Sequence, residues 1–300
     1  MSTSFVKNLV RYKYLYVLLL PAVTFMVMFK YAPMYGIQIA FKDYRFALGI
    51  TGSEWTGLKY FVRMFSEPTF AQVLRNTVII SFSKLVFGFP APILLALLLN
   101  EIRVQWFKRV TQTISYLPHF ISWVVLAGVI KEFLSMRGPV NAVAEWLGFK
   151  PHLFLTDANW FVQIIVASDI WQTMGWGSII YLAAISGIDS HLYEAAEMDG
   201  AGRFRRIWHI TVPSLVPVIF LLFLLNVGNI LDTGFDQIFN LYSPLVYSVG
   251  DVLDTYTYRV GLINNDFSYA TAIGLFKNVI GLALLLIVNY SMRKYNEYGI

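Results

Sequence analysis

The stretch EAAEMDGAGRFRRIWHITVP, Glu194–Pro213, is charged and broken by glycines, yet it stands between two of the most apolar segments of the chain. Asp189 and Ser190 are suited to cap a helix that carries Leu192, Ala195, Ala196 and Met198, with Glu194 near the positive end of the helix dipole. Asp199-Gly200-Ala201-Gly202 then reads as a break. Beyond it Phe204, Ile207 and Trp208 fall at i, i+3 and i+4, an apolar face, which leaves Arg203, Arg205 and Arg206 to water, anionic headgroups or an acidic partner. The expected product is a short helix, a turn and a second short helix leading into an apolar segment. Alanines let backbones approach closely, so the first helix suits a groove on another protein. A plain loop resting on lipid accounts for the same residues.

The rest of the chain explains why such an island is unusual. Apolar residues make up 57% of the sequence and charged residues 14%, and the mean hydropathy is +0.59. A soluble domain does not have this balance. The charges come in bursts separated by apolar runs of about twenty residues, each long enough to cross a bilayer as helix. The expectation is an all-α integral membrane protein, a single transmembrane domain over residues 1–300. Six spans are expected, at about 14–34, 77–99, 113–134, 160–188, 214–231 and 269–292.

Lysine and arginine orient those spans. Segments 1–13, 100–112, 189–213 and 293–300 hold 11 basic residues in 59 positions, against 7 in 100 for segments 35–72, 135–159 and 232–268. The denser set is expected to be cytoplasmic, which places both termini and the opening stretch inside. The net charge of +5 therefore sets orientation rather than marking a nucleic-acid partner. Lys7, Arg11 and Lys13 precede an apolar run as in a signal peptide, but no A-x-A-like site follows, so an uncleaved first helix is expected. Trp160, Tyr116, Tyr12, Tyr14 and Tyr295 lie near proposed interfaces. Pro213 is placed to begin the fifth span, and Pro21, Pro90, Pro92 and Pro118 fall in or near other spans.

Several chemistries find no support. There is no cysteine, and the four histidines show no H-x-x-x-H spacing, so no metal site is expected. No G-x-x-x-x-G-K-[ST] loop is present, nor even a Gly-Lys pair, so a Walker-type nucleotide site is excluded. No nucleophile-base pairing points to a membrane enzyme.

The pattern E-A-A, three residues, G, nine residues, I-x-x-P is met by Glu194, Ala195, Ala196, Gly200, Ile210 and Pro213, with Val212 where a leucine is usual. It resembles the cytoplasmic loop of permease subunits in bacterial binding-protein-dependent ABC importers. NTVIISF, SYLPHFIS and GPVNAVAEWLG extend the likeness towards the carbohydrate-uptake branch, the maltose-type and alginate-oligosaccharide-type permeases. YKYLYVLLLPAVTFMVMFKYAPMYGIQIAFKDY and SMRKYNEYGI are similar to permeases for polysaccharide-derived oligosaccharides.

The resemblance implies a type I ABC importer permease fold with a cytoplasmic coupling helix, in the bacterial cytoplasmic membrane. It implies a second permease subunit, related but not identical, two cytoplasmic ATP-binding subunits that hold the ATP and Mg, and an extracytoplasmic solute-binding protein that delivers a sugar or oligosaccharide. This chain would be non-catalytic and carry no cofactor. Glu194, Ala195, Ala196, Asp199, Gly200, Ile210 and Pro213 would couple to the ATPase.

Polar residues inside a membrane usually face protein or a water-filled path. Asp169, Gln172, Thr173 and Trp176 share one helical face in the fourth span. Asn226, Asn229 and Thr233 share one in the fifth, with Asp232 beside them. Carboxamides and carboxylates engage paired hydroxyls and an indole covers a C–H face, so the set suits a sugar path. Interhelical hydrogen bonding explains the same residues. Lys84 and Lys277, also within spans, are expected to snorkel, pair with an acid or face a partner. An ion-coupled secondary transporter and an ABC permease for a non-sugar solute stand as alternatives.

Overall fold

The computed structural model describes residues 11–295. Lys7, the side chains of Arg293, Lys294 and Tyr295, and residues 296–300 lie outside that description. The chain divides into two compact units, one of residues through Ser66 with Val260–Leu275, the other of Glu67–Arg259 with the residues from Phe276 onward.

In the first unit, helix α1 (Lys13–Met26) continues without a break as a π-helical turn and then a 3₁₀ stretch to Phe41. Pro21 sits inside α1. Every residue of α1 is exposed, which suits a helix whose apolar side chains face lipid or another chain. An all-helical reading misses one short ladder, β1 (Lys42–Asp43) paired antiparallel with β2 (Glu54–Trp55). Lys42 closes the intervening loop by donating to the Ile50 carbonyl at 2.6 Å. Helix α2 (Lys59–Ser66) brings the Tyr60 hydroxyl to Asp43 Oδ1 at 2.6 Å and Arg63 to Asp266 at 2.6 Å.

The second unit is built on long helices. Helix α3 (Pro68–Glu101) starts well before the expected 77 and contains a π-helical turn at Lys84–Gly88. Pro90 and Pro92 follow that turn directly. Proline lacks an N–H and crowds the carbonyl four residues back, and the wider π turn relieves both.

Helices α4 (Gln105–Tyr116) and α5 (Trp123–Phe133) correct the expectation of one straight span at 113–134. The two runs, Gln105–Phe120 and Trp123–Phe133, meet at 108°. Pro118 stands at the start of a 3₁₀ turn (Leu117–Phe120) and Ser122 is extended, so the hydrogen-bond ladder stops between them.

Helix α6 (Pro139–Trp146) precedes α7 (Ala158–Ser186), whose N-cap Asp157 accepts from the Asn159 N–H. Helix α8 (Ser190–Met198) is capped by Asp189 through the His191 N–H. Helix α9 (Arg203–Gly228) is one continuous run with a π-helical turn at Ile207–Thr211. The arginine-bearing segment is thus part of this long helix instead of a separate short one. Pro213 follows the π turn within it and does not begin it. The helix ends at Gly228, not 231, so Asn229–Leu231 form a turn rather than more helix. Helices α10 (Phe235–Leu241) and α11 (Leu253–Tyr258) follow, and α12 (Phe267–Tyr295) closes the chain.

Among the described residues, four helical runs are long and apolar enough to cross a membrane: Lys13–Phe41, α3, α9 and Phe267–Ser291. The bent α4–α5 pair is a fifth if counted as one. Helix α7 has 29 residues, ample for a crossing by length, but Asp169, Gln172 and its other polar residues keep it outside the apolar set.

Two apolar clusters hold the second unit together. Ile80, Ala127, Phe161, Ile165, Ile238, Leu241, Val246 and Val252 join α3, α5, α7 and α10. Ala96, Tyr181, Ile185 and Leu215 join α3, α7 and α9. Along α3 the residues between Ile80 and Ala96, and along α7 those between Ile165 and Tyr181, are left to line something else.

Candidate functional site

That stretch borders a cavity of about 470 Å³. Asp169, Thr173 and Trp176 of α7 line it together with Asn226, Asn229 and Asp232 from the end of α9. Two stripes read separately from sequence thus converge on one space, although Asn229 and Asp232 reach it from the turn after Gly228 and not from a continued helix. Gln172 does not line the cavity. At 100° per residue it sits about 60° round the helix from Asp169, on the flank of the stripe.

Local bonds orient these side chains. The Thr173 hydroxyl donates to the Asp169 carbonyl at 2.8 Å, and Asn226 and Asn229 donate to the carbonyls of Leu222 and Leu225 at 2.8 and 3.2 Å. Each carboxamide keeps its second N–H and its carbonyl oxygen for another partner. Asp232 accepts from the Gly234 N–H at 3.3 Å. Trp176 stacks on His119 with centroids 4.8 Å apart and planes 3° from parallel, and Phe120 meets its edge at 5.5 Å. Sequence reasoning had left His119 unassigned, because only the α4–α5 bend carries it to α7.

The two lysines within long apolar helices settle into pairs. Lys84 lies 2.7 Å from Asp169 Oδ1 in the cavity wall, and Lys277 pairs with Asp254. Asp251, almost wholly buried, pairs with Arg259 and also accepts from the Thr255 hydroxyl. Burial opposes the Arg259 charge, but the bond and charge of Asp251 outweigh it and raise its pKa.

The Glu194–Pro213 stretch forms a second surface. Glu194, Ala195, Asp199 and Gly200 are exposed, Ala196 and Ile210 half-buried, and Pro213 exposed on α9. Gly200 adopts φ 73°, a left-handed conformation that ends α8 in a tight turn. The turn brings α9 back against α8. The Tyr193 and Thr211 hydroxyls are 2.9 Å apart, Arg206 donates to Glu197 at 3.0 Å, and Arg203 lies 4.0 Å from Glu101. The expectation of three free arginines is therefore corrected for Arg203 and Arg206, whose acids come from α3 and α8. The apolar side chains remain outside: Met198 is 90% exposed and Phe204 81%.

Long apolar helices around a cavity with polar side chains in its wall, and an exposed, capped helix at the opposite end of α9, are the architecture of a transport subunit. The chain belongs to the family described as binding-protein-dependent transport system inner membrane component, whose model matches residues 88–297. It is 45% identical to the polygalacturonan/rhamnogalacturonan transport system permease protein YteP of Bacillus subtilis (strain 168), over 98% of this chain and 92% of that protein. It is similar in structure to a chain of a bacterial ABC transporter involved in the import of the acidic polysaccharide alginate. There the TM-score is 0.90 and the identity 41%, over 97% of this chain and 99% of that one. A chain of the alginate ABC transporter in complex with an alginate pentasaccharide-bound periplasmic protein matches equally, with TM-score 0.90 and 41% identity over 98% and 99%. The protein is a multi-pass membrane permease.

Proposed function

We propose that this chain is one of two permease subunits of an ATP-driven importer for a sugar or oligosaccharide derived from a polysaccharide. The observation that carries the reading is the convergence of the α7 and α9 polar residues on one cavity walled by Trp176 and His119. Hydroxyl-binding carboxamides beside a flat ring are what a sugar path requires. Family membership and the substrates named for the relatives support the same class.

In this reading the chain is one membrane domain of six spans: the Lys13–Phe41 run, α3, the bent α4–α5 pair, α7, α9 and α12. Both termini face the cytoplasm. Helix α8 is the coupling helix, with Glu194, Ala195, Ala196, Asp199 and Gly200 presented to a cytoplasmic ATPase, and with Ile210 and Pro213 in the helix it moves. Exposed Met198 and Phe204 favour protein over water as their neighbour. The bond between Tyr193 and Thr211 passes a displacement of α8 to α9, whose far end carries Asn226 and Asn229. ATP and Mg are held by the two ATPase subunits, and a related second permease completes the pathway. A solute-binding protein delivers the sugar from outside, as the complex described for the alginate transporter supports.

The test is purification of the tagged protein from its host in mild detergent, with identification of what accompanies it. A second permease and a Walker-motif ATPase are expected, and reconstitution with the solute-binding protein should give ATP-dependent oligosaccharide uptake. Recovery of this chain alone in several detergents, with ATP analogue present, would refute the proposal.

A further inference from the structure

The cavity wall contains one ammonium, two carboxylates and one imidazole, those of Lys84, Asp169, Asp232 and His119. A lysine ammonium has three N–H donors. Lys84 uses all three on the protein, at 2.7 Å to Asp169 Oδ1, 2.9 Å to the Thr233 carbonyl and 2.5 Å to Gln237 Oε1. Gln237 is itself fixed, since its buried amide donates to the Ile165 carbonyl at 2.7 Å and to Ser168 Oγ at 2.9 Å. Its oxygen is therefore the atom turned towards Lys84. Neither a free donor nor a net positive charge is left at Lys84 for a carboxylate on the substrate, and Asp232 adds a negative charge.

Two hydroxyls in the same wall are differently placed. Ser81 Oγ and Thr233 Oγ1 are buried, their residues 6% and 1% exposed, and neither atom has a hydrogen-bond partner among the described residues. His119 Nδ1 is in the same condition. Hydroxyls both donate and accept, which matches sugar hydroxyls and offers a carboxylate nothing stronger. The Trp176–His119 stack supplies the flat apolar surface beside them.

From this arrangement we infer that the cavity reads an uncharged, hydroxyl-bearing sugar ring, and that Lys84 is a positioning residue rather than an anion receptor. Lys84 pins the turn after Gly228 to α3 and α7, so that Ser81, Thr233 and Asn229 face one space. The inference rests on the oligosaccharide reading above. A uronate-containing oligosaccharide is then held here through its hydroxyls, with its carboxylates turned away from Lys84.

The experiment uses the complete importer in liposomes with ATP inside and its solute-binding protein outside. The probes are an oligogalacturonide, its methyl ester, which lacks the charge but keeps the hydroxyls, and a maltooligosaccharide. In the doubly neutral variant Lys84→Met/Asp169→Leu, the ratio of apparent KM for acid and ester should stay within about twofold of that of the unmodified importer. Ser81→Ala and Thr233→Val, which preserve shape, should each raise KM about fivefold for acid and ester alike, with kcat little changed. A tenfold loss confined to the acid in the double variant would overturn the inference. Unchanged KM in both hydroxyl variants would overturn it too, even if the double variant does not assemble. If the unmodified importer takes up none of the three probes, the functional reading has failed rather than this inference.

Discussion

A Cβ atom built on Gly175 of α7 would stand 1.9 Å from the carbonyl oxygen of Ser115 in α4. No side chain fits there, so the two backbones touch through the glycine, as small residues allow at helix crossings in membranes. The crossing sets where the α4–α5 bend lies and hence where His119 meets Trp176. Gly175→Val should therefore cost about 3 kcal/mol or more of stability through overpacking against backbone. Gly128→Ala in α5, where an added Cβ meets nothing within 4 Å, should change stability by no more than about 1 kcal/mol. Thermal unfolding in detergent compares them, and equal melting temperatures would contradict the close crossing.

Trp176 and Asn229 make separate contributions to the cavity, one through ring area and one through a carboxamide. Trp176→Ala should raise the apparent KM for oligosaccharide uptake about tenfold, and Asn229→Ala about fivefold, with the importer still assembled. Unmodified KM in both variants would remove the cavity from the transport path.

The turn at Gly200 predicts a different kind of loss. A non-glycine residue at φ 73° is strained by roughly 1–2 kcal/mol, and in Gly200→Asp the new carboxylate also adds charge to the exposed face of α8. Glu194→Lys reverses the charge on that face without touching the turn. Both should abolish co-purification of the ATPase and ATP-dependent uptake while leaving the melting temperature of the isolated chain nearly unchanged for Glu194→Lys. An intact complex with normal uptake in both would exclude α8 as the coupling element.

Stability in the first unit should depend on pH through Asp43 and Tyr60. The hydrogen bond from Tyr60 is the main reason the Asp43 carboxyl is held below its usual range. Burial, and then that bond, push the Tyr60 hydroxyl up to about 12. A lowered carboxyl adds stability above its unfolded value, near 4, and loses it as pH falls through the folded one. A raised phenol adds stability below its unfolded value, near 10, and loses it as pH rises towards 12. Tyr60→Phe should therefore lower the melting temperature at pH 7, by an amount that shrinks as pH drops below about 4. A gap of constant size from pH 7 to pH 3 would show that the contribution of the Tyr60 hydroxyl does not depend on the Asp43 charge.

Much of the architecture was legible because it is written at short range. Apolar runs locate α12 within a few residues and the middle of α3 and α9, which begin nine and eleven residues before the expected starts, and Asp189 is an ordinary cap one residue before its helix. The stripe Asp169, Thr173, Trp176 follows from 100° per residue alone. Where helices bend or stop, the reading erred: at Pro118–Ser122, at the π turn before Pro213, and at Gly228. These depend on small differences between a helical and a turned backbone that neighbouring elements decide.

The sequence by itself determined that this is a polytopic helical membrane protein, that Asp169, Thr173 and Trp176 share a helical face, and that Glu194–Gly202 is a largely exposed helix and turn between apolar spans. Each of these follows from residue type and spacing over one or two turns. Only the tertiary structure decided that the two polar stripes enclose one cavity, that His119 stacks on Trp176, and that Lys84 is committed to Asp169, 85 residues away. The same holds for Arg206 and Arg203, which looked free until the turn at Gly200 set them near Glu197 and Glu101. Ion pairs and cavities form between residues whose separation along the chain carries no period, so the packing of whole helices must be known before their partners are.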